Sequence, residues 1–150
     1  MAATKVRPET CFGAFTPAEL APVLGRADEV TVDSPYDMRL NAQRRGVTCN
    51  IYVDGQSGLL ATATWQPTGR GFRRYLDNVP TEPVPGLENS QMWATGAAAG
   101  FTCTTADGSF EVELKLSATV DGKPDATRRT LVELMGKYVD RAKQQNQCGA

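Results

Sequence analysis

Between Phe110 and Val120 the chain alternates strictly. Phe110, Val112, Leu114, Leu116, Ala118 and Val120 fall on one side of an extended backbone, and Glu111, Glu113, Lys115, Ser117 and Thr119 fall on the other. A period of two over this length predicts a half-buried strand with the first set in the core. Asp121-Gly122-Lys123-Pro124 breaks the strand. Apolar residues then recur at spacings of three and four, at Leu131, Leu134, Met135, Tyr138, Val139 and Ala142, which predicts a long amphipathic helix. A strand ending at Cys103 and a turn at Ala106-Asp107-Gly108-Ser109 complete a module from Phe101 to Cys148.

The two long elements match in length. A helix of about 22 residues rises ~33 Å, and a strand of about eleven residues spans ~35 Å, so the helix can run back along the strand it follows. That return carries Cys148 to the start of the Phe110 strand, where the preceding hairpin places Cys103. Geometry therefore predicts a Cys103–Cys148 disulfide and leaves Cys11 to pair with Cys49. Each bond closes a loop of some forty residues, a constraint of ~3–4 kcal/mol in the chain-entropy model.

Upstream, Phe15-Thr16-Pro17-Ala18-Glu19-Leu20 carries a full helix-start signal: Thr16 as cap, Pro17 in the first turn, Glu19 reaching back, and Phe15 with Leu20 as a hydrophobic staple. Pro22 and Gly25 keep that helix short. Residues 29–33 and 36–40 alternate around Ser34-Pro35 and predict two half-buried strands, with Asn41 to Gly46 as a polar loop. Cys49, Ile51 and Val53 share a strand face, and Asp54-Gly55-Gln56-Ser57-Gly58 turns the chain into a partner strand from Leu59 to Trp65. Gln66 to Ser90, with four prolines and three glycines, has no sustained period and reads as a long loop. Met92 to Ala99 resumes extended structure, with Trp93 as its large apolar residue. Gly46-Val47-Thr48-Cys49 echoes Gly100-Phe101-Thr102-Cys103, either as a duplicated hairpin or, more commonly, by coincidence or shared turn chemistry.

The fold class that follows is α+β: a twisted antiparallel sheet of about five to seven strands, the long C-terminal helix on one face, a short N-terminal helix near an edge, and two disulfides. With 150 residues, 41% of them apolar, the chain supports one domain over 11–148 that buries roughly 70% of its unfolded surface. Residues 1–10 read as a flexible arm. The net charge of -1 provides no global attraction for nucleic acid.

Four cysteines without a Cys-x-x-Cys pair, in a chain with no histidine, favour disulfides over zinc. Disulfides persist in oxidising compartments, so the expected location is extracytoplasmic, secreted or anchored to the outer face of the membrane. Met1 to Thr10 lacks the apolar centre of a signal peptide. The polar arm from Ala2 to Glu9 is then expected to be the remnant of a stalk from which a signal peptide, lipid-anchor segment or membrane helix has been removed.

Without histidine there is no Ser-His-Asp or Cys-His catalytic arrangement. No phosphate loop, calcium loop or cofactor motif is present, so neither a cofactor nor a metal is expected. Glu111 and Glu113, on one strand face, form a carboxylate pair of the acid/base type, although a solvated outer face gives the same pattern far more often. The densest basic and aromatic cluster is Arg70, Phe72, Arg73, Arg74 and Tyr75, which can grip an anionic ligand, a glycan or a partner protein. More commonly, such aromatic residues pin a loop to the core while the arginines stay solvated. Trp65 and Trp93 are each either core or the wall of a pocket beside that loop.

Four runs carry a resemblance: Cys11-Phe12-Gly13-Ala14-Phe15, Leu20-Ala21-Pro22-Val23-Leu24, Cys49-Asn50-Ile51-Tyr52-Val53-Asp54-Gly55 and Glu133-Leu134-Met135-Gly136-Lys137-Tyr138-Val139. The chain resembles uncharacterised extracytoplasmic domains of streptomycetes that follow one membrane helix. More distantly, its order of cysteines, helices and sheet is similar to actinobacterial lipoproteins and to the extracellular sensor domain of mycobacterial Ser/Thr kinases, which have a PsbP-like fold. That resemblance implies an antiparallel sheet covered by helices, two disulfides and a ligand cleft, and it transfers no catalytic residue. The leading expectation is a non-catalytic binding or sensing domain for a protein or a small anionic or glycan ligand at the cell envelope. An inhibitor or immunity-type protein acting through that loop or an exposed sheet edge is the alternative, and a carboxylate-based envelope-polymer hydrolase is third.

Overall fold

The alternation on either side of Asp54-Gly55 becomes the first hairpin of an antiparallel sheet in the computed structural model, which describes residues 10–35, 37–67, 80–103 and 108–148. The described residues form six strands: β1 (Val30–Asp33), β2 (Gly46–Val53), β3 (Gln56–Pro67), β4 (Ser90–Trp93), β5 (Gly96–Cys103) and β6 (Gly108–Leu116). They lie in the order β1-β2-β3-β6-β5-β4, and every neighbouring pair is antiparallel. Two helices, α1 (Pro17–Leu24) and α2 (Pro124–Gln145), complete the α+β architecture.

The core face follows from register. Cys49 pairs with Ala61, Ala61 with Leu114 and Leu114 with Ala97, and the next row runs Val47, Ala63, Val112 and Ala99. All eight are buried. The alanines leave room for α2, whose Leu131, Leu134, Met135, Tyr138, Val139 and Ala142 form the buried stripe that the spacing predicts and pack on β5 and β6. α1 begins as its sequence dictates. Thr16 Oγ1 accepts from Glu19 N at 3.1 Å, while Glu19 Oε1 accepts from Thr16 N at 2.8 Å. Its main strand contact is β3, two strands in from the margin rather than at an edge.

Both disulfides form as predicted, Cys11–Cys49 and Cys103–Cys148. The first ties a left-handed turn to the first hairpin: Cys11, Phe12 and Gly13 have φ of 49°, 65° and 76°. Thr10, assigned to the arm by the sequence pattern, is buried at the start of that turn. Phe12 O accepts from Arg141 Nε at 2.8 Å, and the Phe12 ring stacks on Tyr138, so the turn is held to the far end of α2.

Three elements differ from the sequence expectation. Residues 37–40 belong to no strand. Met38 and Leu40 point inward as the alternation requires, yet their amides donate to Gln145 Oε1 (2.8 Å) and Asn146 Oδ1 (2.9 Å) at the end of α2. Side-chain amides there replace a neighbouring strand as hydrogen-bond partners. Met92 to Ala99 is two strands rather than one, folded at Ala94-Thr95. The alternating strand ends at Leu116: Ser117 to Thr119 are exposed, Ala118 included, and Val120 re-enters the core in a short 3-10 turn. The cysteine echo occupies different places, mid-strand in β2 and at the end of β5.

Candidate functional site

Arg70, Phe72, Arg73, Arg74 and Tyr75 lie outside the described residues, so Trp93 is the one member of the predicted binding set with a described position. It ends β4 opposite Gly96. A Cβ on Gly96 would come within 2.6 Å of the indole Cε2, so the ring lies directly on that glycine backbone. Gly96 is what allows so tight a turn to carry a tryptophan.

Beyond β4 the chain returns. Glu82 N donates to Met92 O at 3.0 Å and Met92 N donates to Glu82 O at 2.7 Å, an isolated bridge that covers the outer edge of β4. The same Glu82 accepts from Arg128 Nε on α2. Among the described residues the two terminal nitrogens of that guanidinium make no hydrogen bond. Between these groups lies a cleft of about 360 Å³ lined by Glu82, Met92, Trp93, Pro124, Asp125 and Arg128 with their neighbours. Its floor includes the start of α2, where Lys123 supplies no side-chain cap. Thr127 instead fixes this corner, accepting from Val120 N at 2.7 Å and donating to Lys123 O at 2.8 Å.

The cleft therefore combines an indole, apolar walls, one guanidinium with free donors and two carboxylates, Glu82 and Asp125. Such a mixture can hold a small polar ligand with an apolar face, since planar side chains make paired hydrogen bonds while the ring covers a C–H surface. Glu82 and Arg128 escape a reading of the sequence. Arg128-Arg129 looks like the solvated face of a helix, and Glu82 sits in a proline-rich stretch whose sole local signal is Pro80, Pro83 and Pro85 around it.

Glu111 and Glu113 lie on the sheet face opposite the core, but they are not solvated. Glu111 is 8% exposed and the Glu113 side chain 12%. Their cross-strand neighbours on β5 are the small residues Gly100 and Ala98, both buried. Glu113 pairs with Lys115 Nζ at 3.5 Å.

Elsewhere two groups have displaced pKa values. The Asp37 carboxylate is held below the usual carboxylate range, first by the Arg39 backbone N–H and then by the Arg44 guanidinium. Burial pushes the Tyr138 hydroxyl far above its ordinary value, and that oxygen has no hydrogen-bond partner among the described residues. Among the described residues no group of three or more metal-ligating side chains converges, and no helix is long and apolar enough to cross a membrane. The two disulfides suit an oxidising, extracytoplasmic environment.

No protein-family model, curated protein or solved structure matches the chain.

Proposed function

We infer that the chain is a non-catalytic extracytoplasmic domain, secreted or held at the outer face of the membrane, that binds a small glycan or other anionic ligand in the Trp93 cleft. The observation that carries this reading is the cleft itself: about 360 Å³, within the range of small-molecule sites, with Arg128 anchored by Glu82 through Nε so that its terminal nitrogens remain available. An acidic saccharide fits this chemistry. Its carboxylate meets the Arg128 fork, its hydroxyls meet Asp125 and Glu82, and its C–H face meets Trp93 or Met92. The resemblance to streptomycete envelope domains and to kinase-sensor domains agrees with the same assignment.

Titration followed by tryptophan fluorescence tests it, with glucuronic acid and N-acetylmuramic acid as probes and glucose and N-acetylglucosamine as their neutral counterparts. Saturable quenching by the acidic sugars is expected, with affinity reduced about tenfold in Arg128→Ala, the equivalent of one charge-assisted hydrogen bond. Absence of saturation with all four sugars, or equal binding by Arg128→Ala, contradicts the assignment.

A further inference from the structure

At the opposite margin of the sheet, we propose that the outer edge of β1 is a second binding surface, which takes an extended peptide segment of alternating apolar and basic residues by strand addition. β1 ends the sheet on its side, and no described residue pairs with its outer edge. Asp54 N donates to Glu29 O at 2.8 Å, and this sets the phase of the ladder. Inward and outward bonding alternate along an antiparallel strand, so Thr31 and Asp33 turn their backbone groups toward β2, while Val30 and Val32 present N–H and C=O outward. Of the devices that commonly blunt an edge, β1 has a short length and the charges of Glu29 and Asp33, but Val30-Thr31-Val32-Asp33 contains no proline, lysine or bulge.

The side chains specify what can dock. Val32, 37% exposed, is the exposed large hydrophobic residue among the described ones. It lies opposite Ile51, and Val30 lies opposite Val53, on the core side of the sheet. Glu29, Thr31 and Asp33 share the other side and are exposed. The two carboxylates, four residues apart, are separated by ~13 Å along the strand.

Charge disfavours a second copy as the occupant in the register that covers both valines. The register that pairs Val30 with Val32 of another chain sets Glu29 opposite Asp33 twice, and like charges directly opposite destabilise a strand pair. A segment with Lys or Arg at positions i and i+4 and apolar residues at i+1 and i+3 instead covers Val30 and Val32 and places a cation beside each carboxylate. Its backbone satisfies the outward groups.

The probe is a dye-labelled heptapeptide, Thr-Lys-Val-Thr-Val-Lys-Thr, with a control in which both lysines are glutamates. Fluorescence anisotropy at low salt is expected to show saturable binding of the basic peptide and none of the acidic one. Val32→Pro removes an outward N–H without touching a β1–β2 bond, so it should fold and bind about tenfold more weakly. Glu29→Lys combined with Asp33→Lys should exchange the preference in favour of the acidic peptide, and this holds as a test whether or not the proline variant folds. Equal binding of both peptides to the unmodified chain, no binding of either, an unchanged preference in the charge-swapped variant, or dimerisation of the unmodified chain that Val32→Pro abolishes, would each overturn the proposal.

Discussion

The two margins of the sheet are built in opposite ways. At the β4 margin the chain folds back, bridges Glu82 to Met92, and ties the bridge to α2 through Arg128, so the strand edge is covered and a cleft opens beside it. At the β1 margin a four-residue strand ends the sheet, with no described residue paired to its outward backbone groups and with acidic side chains along it. One margin encloses a concave site suited to a small molecule. The other presents a straight edge suited to another chain. The same antiparallel ladder thus yields two kinds of surface, and what decides between them is whether a further segment returns to cover the last strand.

Each half of the sheet is fastened by its own disulfide, and breaking these bonds has the largest expected effect. Replacing Cys103 and Cys148 together by alanine should cost ~3–4 kcal/mol, and replacing Cys11 and Cys49 a similar amount, because the loops closed are nearly equal at sequence separations of 45 and 38. Urea unfolding of the two double variants measures both. The chain-entropy terms differ by only ~0.2 kcal/mol. A much smaller loss for the Cys11–Cys49 pair would show that its removal lets the left-handed turn at Cys11 and Phe12 relax.

A smaller change should damage the covered margin alone. Gly96→Ala places a methyl where the Trp93 indole rests and should cost ~1–3 kcal/mol by displacing the ring. Acidic-sugar binding should weaken with it, while peptide binding at β1 should not change. Between the two margins, Tyr138→Phe removes a buried hydroxyl that has no partner among the described residues and should stabilise the chain by about 1 kcal/mol in thermal or urea unfolding.

That hydroxyl also makes stability depend on alkaline pH. Because its folded pKa is raised, its contribution is complete below the unfolded value of 10.0 and is lost as pH rises beyond it, and the phenylalanine variant should lack this loss. The smallest effect is acidic. The folded pKa of Asp37 is lowered, so its contribution is present above the unfolded value of 3.8 and disappears as pH falls through the folded one. Asp37→Asn should flatten the acid limb of a urea-midpoint profile only slightly, since the side chain is 30% exposed.

Elements governed by local rules were legible in the sequence. The capping box at Thr16 and Glu19, the stripe from Leu131 to Ala142 and the Asp54-Gly55 hairpin each depend on neighbours within a few residues, and the return of the helix along the strand before it was enough to pair the cysteines, although that strand has 9 residues, Gly108–Leu116, rather than eleven. What failed depended on distant partners. The alternation at Met38 and Leu40 is real, but nothing nearby reveals that Gln145 and Asn146 satisfy their amides. Ala94-Thr95 carries no glycine or proline to announce a turn, and the space for it comes from Gly96 beneath Trp93. Of the candidate site, Trp93 was legible as a large apolar residue beside a loop. Glu82 and Arg128 were not, since 46 residues separate two side chains that each resemble ordinary surface charge.

Ligand binding at the covered margin is tested most directly by amide and indole chemical shifts of the isotopically labelled protein, followed during addition of N-acetylmuramic acid. Saturating shifts clustered at Glu82, Trp93, Asp125 and Arg128 are predicted; shifts centred on another face of the sheet, or none at millimolar sugar, would contradict it.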